Sequence, residues 1–305
     1  MRLFDLHCDT LYECYHRGQS LCDNSLHVDL RRASVFERYA QVFAVWMPDS
    51  LRGEAAVQEC GRILDFAVDQ LRQNTDRIAI YREGRSLHDI WNSGRAAAIL
   101  AVEGGSALGG DLWQIEKLAQ RDVKILTLTW NGENELGYGA GCDKNLPLKP
   151  FGRAAVRELE RQGILPDVSH LNERGFWDVC ELAEGAVIAS HSLSAAVHVH
   201  PRNLSDGQFL EICRRGGLCG LNLAGSQLGE QTFACVERHL DHYLSLGGEH
   251  AVAFGCDLDG TDLPPEWGGI EVMPRLYDYL CRKNYEEALL CRLFFSNCSD
   301  FFSAL

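Results

Sequence analysis

Phosphate-binding loops, dinucleotide-binding glycine turns and serine-hydrolase elbows are all missing from this chain. No G-x-x-x-x-G-K-[ST] and no G-x-S-x-G occurs, and the first apolar run leads into His-Cys-Asp rather than G-x-G-x-x-G. Nucleotide-driven phosphoryl transfer, a Rossmann-type cofactor and a Ser-His-Asp triad are therefore poor readings. Proline is scarce, with 8 residues in 305, and no low-complexity tract or repeat divides the sequence. Disorder and collagen-like architectures are excluded. Positive charge is also short: 29 Lys+Arg stand against 43 Asp+Glu, a formal net charge of −14. Such a field repels phosphate backbones and anionic lipid, which argues against nucleic acid or a membrane as partner. It does not repel a divalent cation.

No stretch approaches the ~18 apolar residues of a membrane span. The opening MRLFDLHCDT has neither the basic nor the apolar region of a signal peptide, and Ser303-Ala304-Leu305 is no anchor tail. Cysteine is abundant, with 13 residues, but the count is odd and no CxxC occurs among them. A zinc ribbon and a secreted disulfide framework are both unsupported. Reduced cysteine packs as a small hydrophobe, so the expectation is a cytoplasmic protein whose cysteines fill the core.

What is present is alternation. Apolar runs at residues 3–6, 39–46, 97–102, 123–129, 165–168, 186–190, 217–223 and 250–255 are short and not strictly alternating. That is the pattern of strands covered on both faces, as in a parallel sheet. Amphipathic helical stretches at 54–73, 111–119, 152–162, 173–183, 206–215 and 232–245 separate most of them, and 286–302 reads as a closing helix. An accessory strand is expected at 78–81. Eight strands with intervening helices predict an α/β fold, a single (β/α)8 TIM barrel of the metal-dependent hydrolase type, as one domain over residues 1–305. An open doubly wound sheet is the alternative. The glycine-rich stretch 131–149 is too long for an ordinary connection and reads as a functional loop.

The chemistry lies at the ends of the apolar runs. The first ends in Asp5-Leu6-His7-Cys8-Asp9, the third in Glu103-Gly104-Gly105, the fifth in Asp167-Val168-Ser169-His170, the sixth in His191, and the eighth in Asp257-Leu258-Asp259-Gly260. In an extended chain residues i and i+2 share a face, so His7 and Asp9 point together and Cys8 points away. In a barrel these ends converge on one mouth, where catalytic groups sit. Three imidazoles with carboxylates suit Zn²⁺ or a similar first-row ion. Five ligands exceed one tetrahedral site, and a metal pair sharing Glu103 would use them all. Each residue has a plainer reading as well. Asp9 fits a helix N-cap, Asp257 a cap, Asp259-Gly260 a turn, and His7 a hydrogen-bonding residue at a strand end. Glu103, between an apolar strand and a Gly pair, has no comparable local use. His239 and His242 read as exposed helical histidines, His198 and His200 as solvated loop residues, and His27 as surface or packing.

Taken together, DLHCDTL, AVEGG, LTLTWN, LPLKPFGR, LPDVSHL, ASHS, HPRNLSD, GGLCGLNL and GCDLDG make the chain resemble the membrane (renal-type) dipeptidases, peptidase family M19 of the amidohydrolase superfamily. The resemblance runs nearly end to end. It implies a binuclear zinc site, other divalent first-row metals being possible, and hydrolysis of dipeptides by a hydroxide between the metals. By the same resemblance His7 and Asp9 hold one zinc, His170 and His191 the other, and Glu103 bridges both. It further implies that Asp257 shuttles the proton, that Arg202 binds the substrate carboxylate, and that a homodimer is possible. Trp130 stands where relatives carry a His that steadies the oxyanion, which makes Trp130 and the adjacent Asn131 candidate substrate-binding residues. The Tyr that relatives place after the strand-seven Asn is also missing, with Gly225-Ser226-Gln227 there instead. Hydrolysis of N-acyl or D-amino acid derivatives, or metal binding without turnover, are the alternatives.

Overall fold

The computed structural model of the chain describes residues 1–82, 84 and 86–305. Its strands are β1 (Leu3–Cys8), β2 (Tyr39–Trp46), β3 (Ile78–Ile80), β4 (Ala96–Glu103), β5 (Val123–Thr127), β6 (Leu165–Asp167), β7 (Cys219–Leu221) and β8 (Val252–Phe254). All paired strands run parallel, in the order β6-β5-β4-β2-β1-β8-β7, with β3 beside the start of β4. The expected sixth strand, 186–190, appears as two bridges only: Ile188 pairs with Asp167 of β6, and Ala189 with Cys219 of β7. Those bridges join the two ends of the path. With that segment counted as a stave, eight staves form the barrel and β3 is the accessory strand.

Parity along the staves divides the core in two. Phe4 and Leu6 of β1, Ala40, Val42 and Ala44 of β2, and Ala97, Ile99 and Ala101 of β4 share one buried cluster with Ile125, Leu165 and Ile188. The alternate residues, among them Leu3, Phe43, Val45, Leu100, Val102 and Leu126, pack in a second cluster with the surrounding helices. A period of two on strands buried on both faces produces this division. Alanine recurs in the inner row, as a narrow barrel interior requires.

Most helices fall within a residue or two of expectation: Gly53–Gln73, Trp113–Gln120, Pro150–Arg161, Glu173–Leu182, Asp206–Arg214 and Phe233–Ser245. The closing helix differs from a plain one. Glu287–Cys291 and Asn297–Ser303 flank a π-helical turn at Arg292–Ser296. There Leu293 and Phe294 join the outer cluster while Phe295, with Cys298 and Phe302 beyond it, joins the inner one. The wide turn lets one helix serve both layers and close the barrel's amino end. The strands expected at 217–223 and 250–255 are shorter, at Cys219–Leu221 and Val252–Phe254, and a 3₁₀ turn, Gly248–His250, delays the start of β8. A helix at Val272–Arg282 has no counterpart in the expectations. Among the described residues no helix is long and apolar enough to cross a membrane.

Candidate metal centre

The inward rows turn polar toward the carboxyl ends of the strands. On β4 the row Ala97, Ile99, Ala101 ends in Glu103, buried at 3% exposure. On neighbouring staves Thr127, Asp167 and Ser190 form a floor. The Thr127 hydroxyl donates to Asp167 Oδ2 at 2.5 Å, and the Ser190 hydroxyl donates to the same oxygen at 2.6 Å.

On β1, simple alternation from Phe4 and Leu6 would send Cys8 inward. The register instead slips: Asp5 pairs with Gln41 and Cys8 with Phe43, three steps against two. This one-residue bulge re-aims the strand end, bringing His7 and Asp9 together and sending Cys8 to the outer cluster. Asp5 Oδ1 braces it, accepting from the backbone N–H of His7 (2.9 Å) and of Cys256 (3.1 Å). Asp167 Oδ1 repeats the device across the barrel, accepting from the N–H of Ser169 and of Ser190, each at 2.9 Å. Asp9 makes no cap hydrogen bond to the helix it precedes.

These elements bring all five expected ligands together. His7 Nε2 lies 3.5 Å from Asp9 Oδ2 and 3.7 Å from Glu103 Oε2. Glu103 Oε1 lies 3.0 Å from His170 Nε2 and 3.4 Å from His191 Nε2. Each oxygen of one carboxylate thus faces a different histidine group, and Asp257 Oδ1 is 3.9 Å from His7 Nε2. His170 Nδ1 is 2.8 Å from Asn131 Oδ1, so it carries the proton. Ser190 has given its hydrogen to Asp167 and so accepts from His191 Nδ1 at 2.8 Å. Both Nε2 lone pairs then point at one another across 2.8 Å. Two acceptors in that position call for a cation between or beside them. His7 Nε2 and Asp9 Oδ1 are buried with no hydrogen-bond partner among the described residues. The donor set and these bare atoms fit divalent first-row metal ions.

Electrostatics follow the same division. Burial keeps the His170 and His191 imidazoles neutral, well below their usual pKa. Burial also opposes protonation of His7, but the fields of Glu103, Asp9 and Asp257 outweigh it and raise its pKa to about 10. Desolvation pushes the Asp9 and Asp257 carboxyls up. Glu103 goes the other way, since His7 and His170 outweigh its own desolvation and lower it.

A cavity of ≈ 500 Å³ opens above the cluster, and Trp130, Asn131, Arg202 and Asp257 all line it. Arg202 is buried at 6% exposure; it donates through Nη2 to His191 O at 3.2 Å, and its Nε has no partner among the described residues. The Trp130 ring is 5.1 Å from that of Trp46 and 6.1 Å from His170. Asn131 accepts from His170 through Oδ1. The loop after Trp130 is pinned at Gly139, where any side chain would overlap the Trp130 carbonyl. Ser226 and Gln227 line the wall where relatives are expected to carry Tyr. Sequence reasoning missed Trp46 and Tyr12, also on the wall, and the floor and brace roles of Asp5, Thr127, Asp167 and Ser190. The repeated spacing D-x-H and D-x-S at 5–7 and 167–169 is the signal that could have shown the braces. His239 is a correction: it is fully buried, with Nδ1 accepting from the Ser194 N–H at 3.1 Å. His242 is partly exposed and pairs with Asp206 at 2.7 Å.

A parallel barrel with a buried His and carboxylate cluster at the carboxyl ends of its strands is the arrangement of a metal-dependent hydrolase. The profile of the membrane dipeptidase family, peptidase family M19, matches residues 1–302, and the chain belongs to that family. It is a metallo-dipeptidase by class. The crystal structure of dipeptidase AC, a metallopeptidase of family M19, is 27% identical with a TM-score of 0.91, covering 98% of this chain and 97% of that one. A metallopeptidase from Rhodobacter sphaeroides, solved with a phosphinate mimic of the dipeptide L-Ala-D-Ala, is 26% identical with a TM-score of 0.91, covering 98% of each chain. A Klebsiella pneumoniae protein described as uncharacterized, in the pqqA 5′ region, is 29% identical over 216 residues, 66% of this chain and 79% of its own.

Proposed function

We propose that the chain hydrolyses the peptide bond of dipeptides at a binuclear zinc centre within a single domain. In this reading His7 and Asp9 hold one ion, His170 and His191 the other, and Glu103 both. The observation that carries it is the Glu103 carboxylate, one oxygen toward His7 and the other toward His170 and His191, whose facing Nε2 atoms have no proton to share. Two divalent ions, when bound, polarise a carbonyl and supply an ionised water at neutral pH.

The protein's own groups complete the chemistry. Arg202 presents its buried guanidinium to the cavity, and an Arg fork suits a terminal carboxylate. Asp257 lines the same cavity, its Oδ1 3.9 Å from His7 Nε2. It would accept a proton from the attacking water and deliver it to the leaving amine. The phosphinate-dipeptide ligand of the Rhodobacter relative makes L-Xaa-D-Xaa dipeptides the first substrates to try. All thirteen cysteines are free, which supports a reducing compartment such as the cytoplasm.

A screen of L-Xaa-L-Xaa and L-Xaa-D-Xaa dipeptides against N-acyl amino acids, with zinc analysis, tests the reading. Dipeptide turnover with close to two zinc per chain is expected. Turnover of N-acyl amino acids alone, or no zinc after reconstitution, would overturn it. Asp257→Asn should lower kcat by about 10²–10⁴-fold, and unchanged kcat would remove the proton-shuttle role.

A further inference from the structure

The loop that carries Asp257 is held in a costly shape by a residue 232 positions away in sequence. Asp257 and Asp259 both adopt left-handed backbone, at φ 61° and 68°, a conformation that costs an L-residue free energy, less for Asp than for most, and two such residues stand within three positions here. Gly260 lies so close to Asp9 Oδ2 and Asp257 Oδ1 that any side chain there would overlap both. Such a loop needs an external restraint, and Asp259 is where it is applied. Its backbone N–H donates to His27 Nδ1 at 2.9 Å, and its Oδ1 accepts the His27 backbone N–H at 2.6 Å. Its Oδ2 accepts the Thr10 hydroxyl at 2.5 Å. Thr10 directly follows Asp9, so Asp259 ties the Asp9 side of the mouth to the Asp257 side. His27 is anchored in turn: its carbonyl accepts the Ile270 N–H at 2.9 Å, and Gly269 leaves no room for a side chain against it.

We propose that His27 is a positioning residue for the proton-shuttling Asp257, acting as a clamp through Asp259. This rests on the assignment of Asp257 made above. The reciprocal pair fixes both the direction and the height of the 257–260 turn. A misplacement near 1 Å at a reacting group can cost about 10²-fold in rate. The clamp touches none of the five metal-ligating side chains, so its loss should leave metal binding intact. It accepts through Nδ1, and an Asn amide oxygen reaches nearly the same point while an apolar isostere does not.

The test compares His27→Leu with His27→Asn in the zinc-loaded enzyme. His27→Leu should lower kcat about 10–100-fold, with KM within about twofold and zinc content unchanged; His27→Asn should stay within about threefold of wild type. Amide exchange at 257–261 should quicken in His27→Leu and not in His27→Asn, a readout that stands whether or not dipeptides are the substrate. Thr10→Val, nearly isosteric, is the second variant should His27→Leu not fold, and should give a smaller loss of kcat of the same kind. The clamp is wrong if His27→Leu keeps wild-type kcat, if His27→Asn fails equally, or if zinc content falls with kcat. A wild-type protein inert to dipeptides would instead sink the functional reading, leaving the exchange result to judge the clamp.

Discussion

At the amino end of the barrel the Phe4 and Phe302 rings stack with centroids 5.2 Å apart, and Phe295 and Cys298 complete an apolar seal. At the carboxyl end, a few residues along the same staves, His7 Nε2, Asp9 Oδ1 and Arg202 Nε are buried with no hydrogen-bond partner among the described residues. Left-handed backbone at His170, Asp257 and Asp259 is found at that end too. Buried bare polar atoms and strained backbone each cost on the order of 1–3 kcal/mol. The base contributes stability, and the mouth consumes it to hold groups that only a ligand can satisfy. Row β4 shows how small the difference is in sequence, since Ala97, Ile99, Ala101 and Glu103 share one face.

The sharpest way to break this contrast is at its pivot. Glu103→Gln keeps the shape of the side chain but removes the charge both histidine groups face. Hydrolysis should fall by on the order of 10³-fold or more, and metal analysis should find at most one ion per chain. In the metal-free variant His7 loses the charge that does most to hold its proton, so the melting temperature at pH 7 should fall, but by less than loss of a core ring lowers it. A larger drop would mean that the mouth holds the fold together after all.

The base should answer in the opposite way. Phe302→Ala removes a fully buried ring stacked on Phe4 and should cost about 3–5 kcal/mol in denaturant unfolding. Turnover per folded molecule should stay near wild type. A fall in kcat comparable to the loss from an altered ligand would erase the distinction between the ends.

The mouth is legible in sequence because polar residues interrupt apolar strands at a common end, and local chemistry suffices to notice Glu103. The barrel is legible for a related reason, since strands buried on both faces leave continuous apolar runs. What escaped notice depends on pairs far apart in the chain. The β1 bulge is a mismatch with β2, some thirty residues on, and neither strand records it alone. The stave at Ile188 and Ala189 is defined by its neighbours' hydrogen bonds more than by its own length. His27 looked like a surface or packing residue because its partner, Asp259, lies in the last strand's loop. His239 looked exposed because helical spacing does not reveal which neighbour covers a face.

The smallest effect separates the two ends most cleanly. In the metal-free protein His7 holds its proton up to about 10 because Glu103, Asp9 and Asp257 surround it. A raised imidazole pKa stabilises the fold fully below the unfolded value near 6.5 and loses that contribution as pH climbs through about 10. The raised carboxyls of Asp9 and Asp257 act in the same direction, since ionising them in place is costly. Incoming metal must displace the His7 proton, so affinity rises with pH by up to about tenfold per unit for one proton. Metal stabilises by mass action. The gap in melting temperature between metal-loaded and metal-free protein should therefore widen from pH 7 to pH 9 at a fixed, buffered free-ion concentration. A flat or narrowing gap would show that His7 is not the proton holder. Phe302→Ala should reproduce the wild-type widening at lower absolute temperatures, because the base sets the level of stability while the mouth sets its slope with pH.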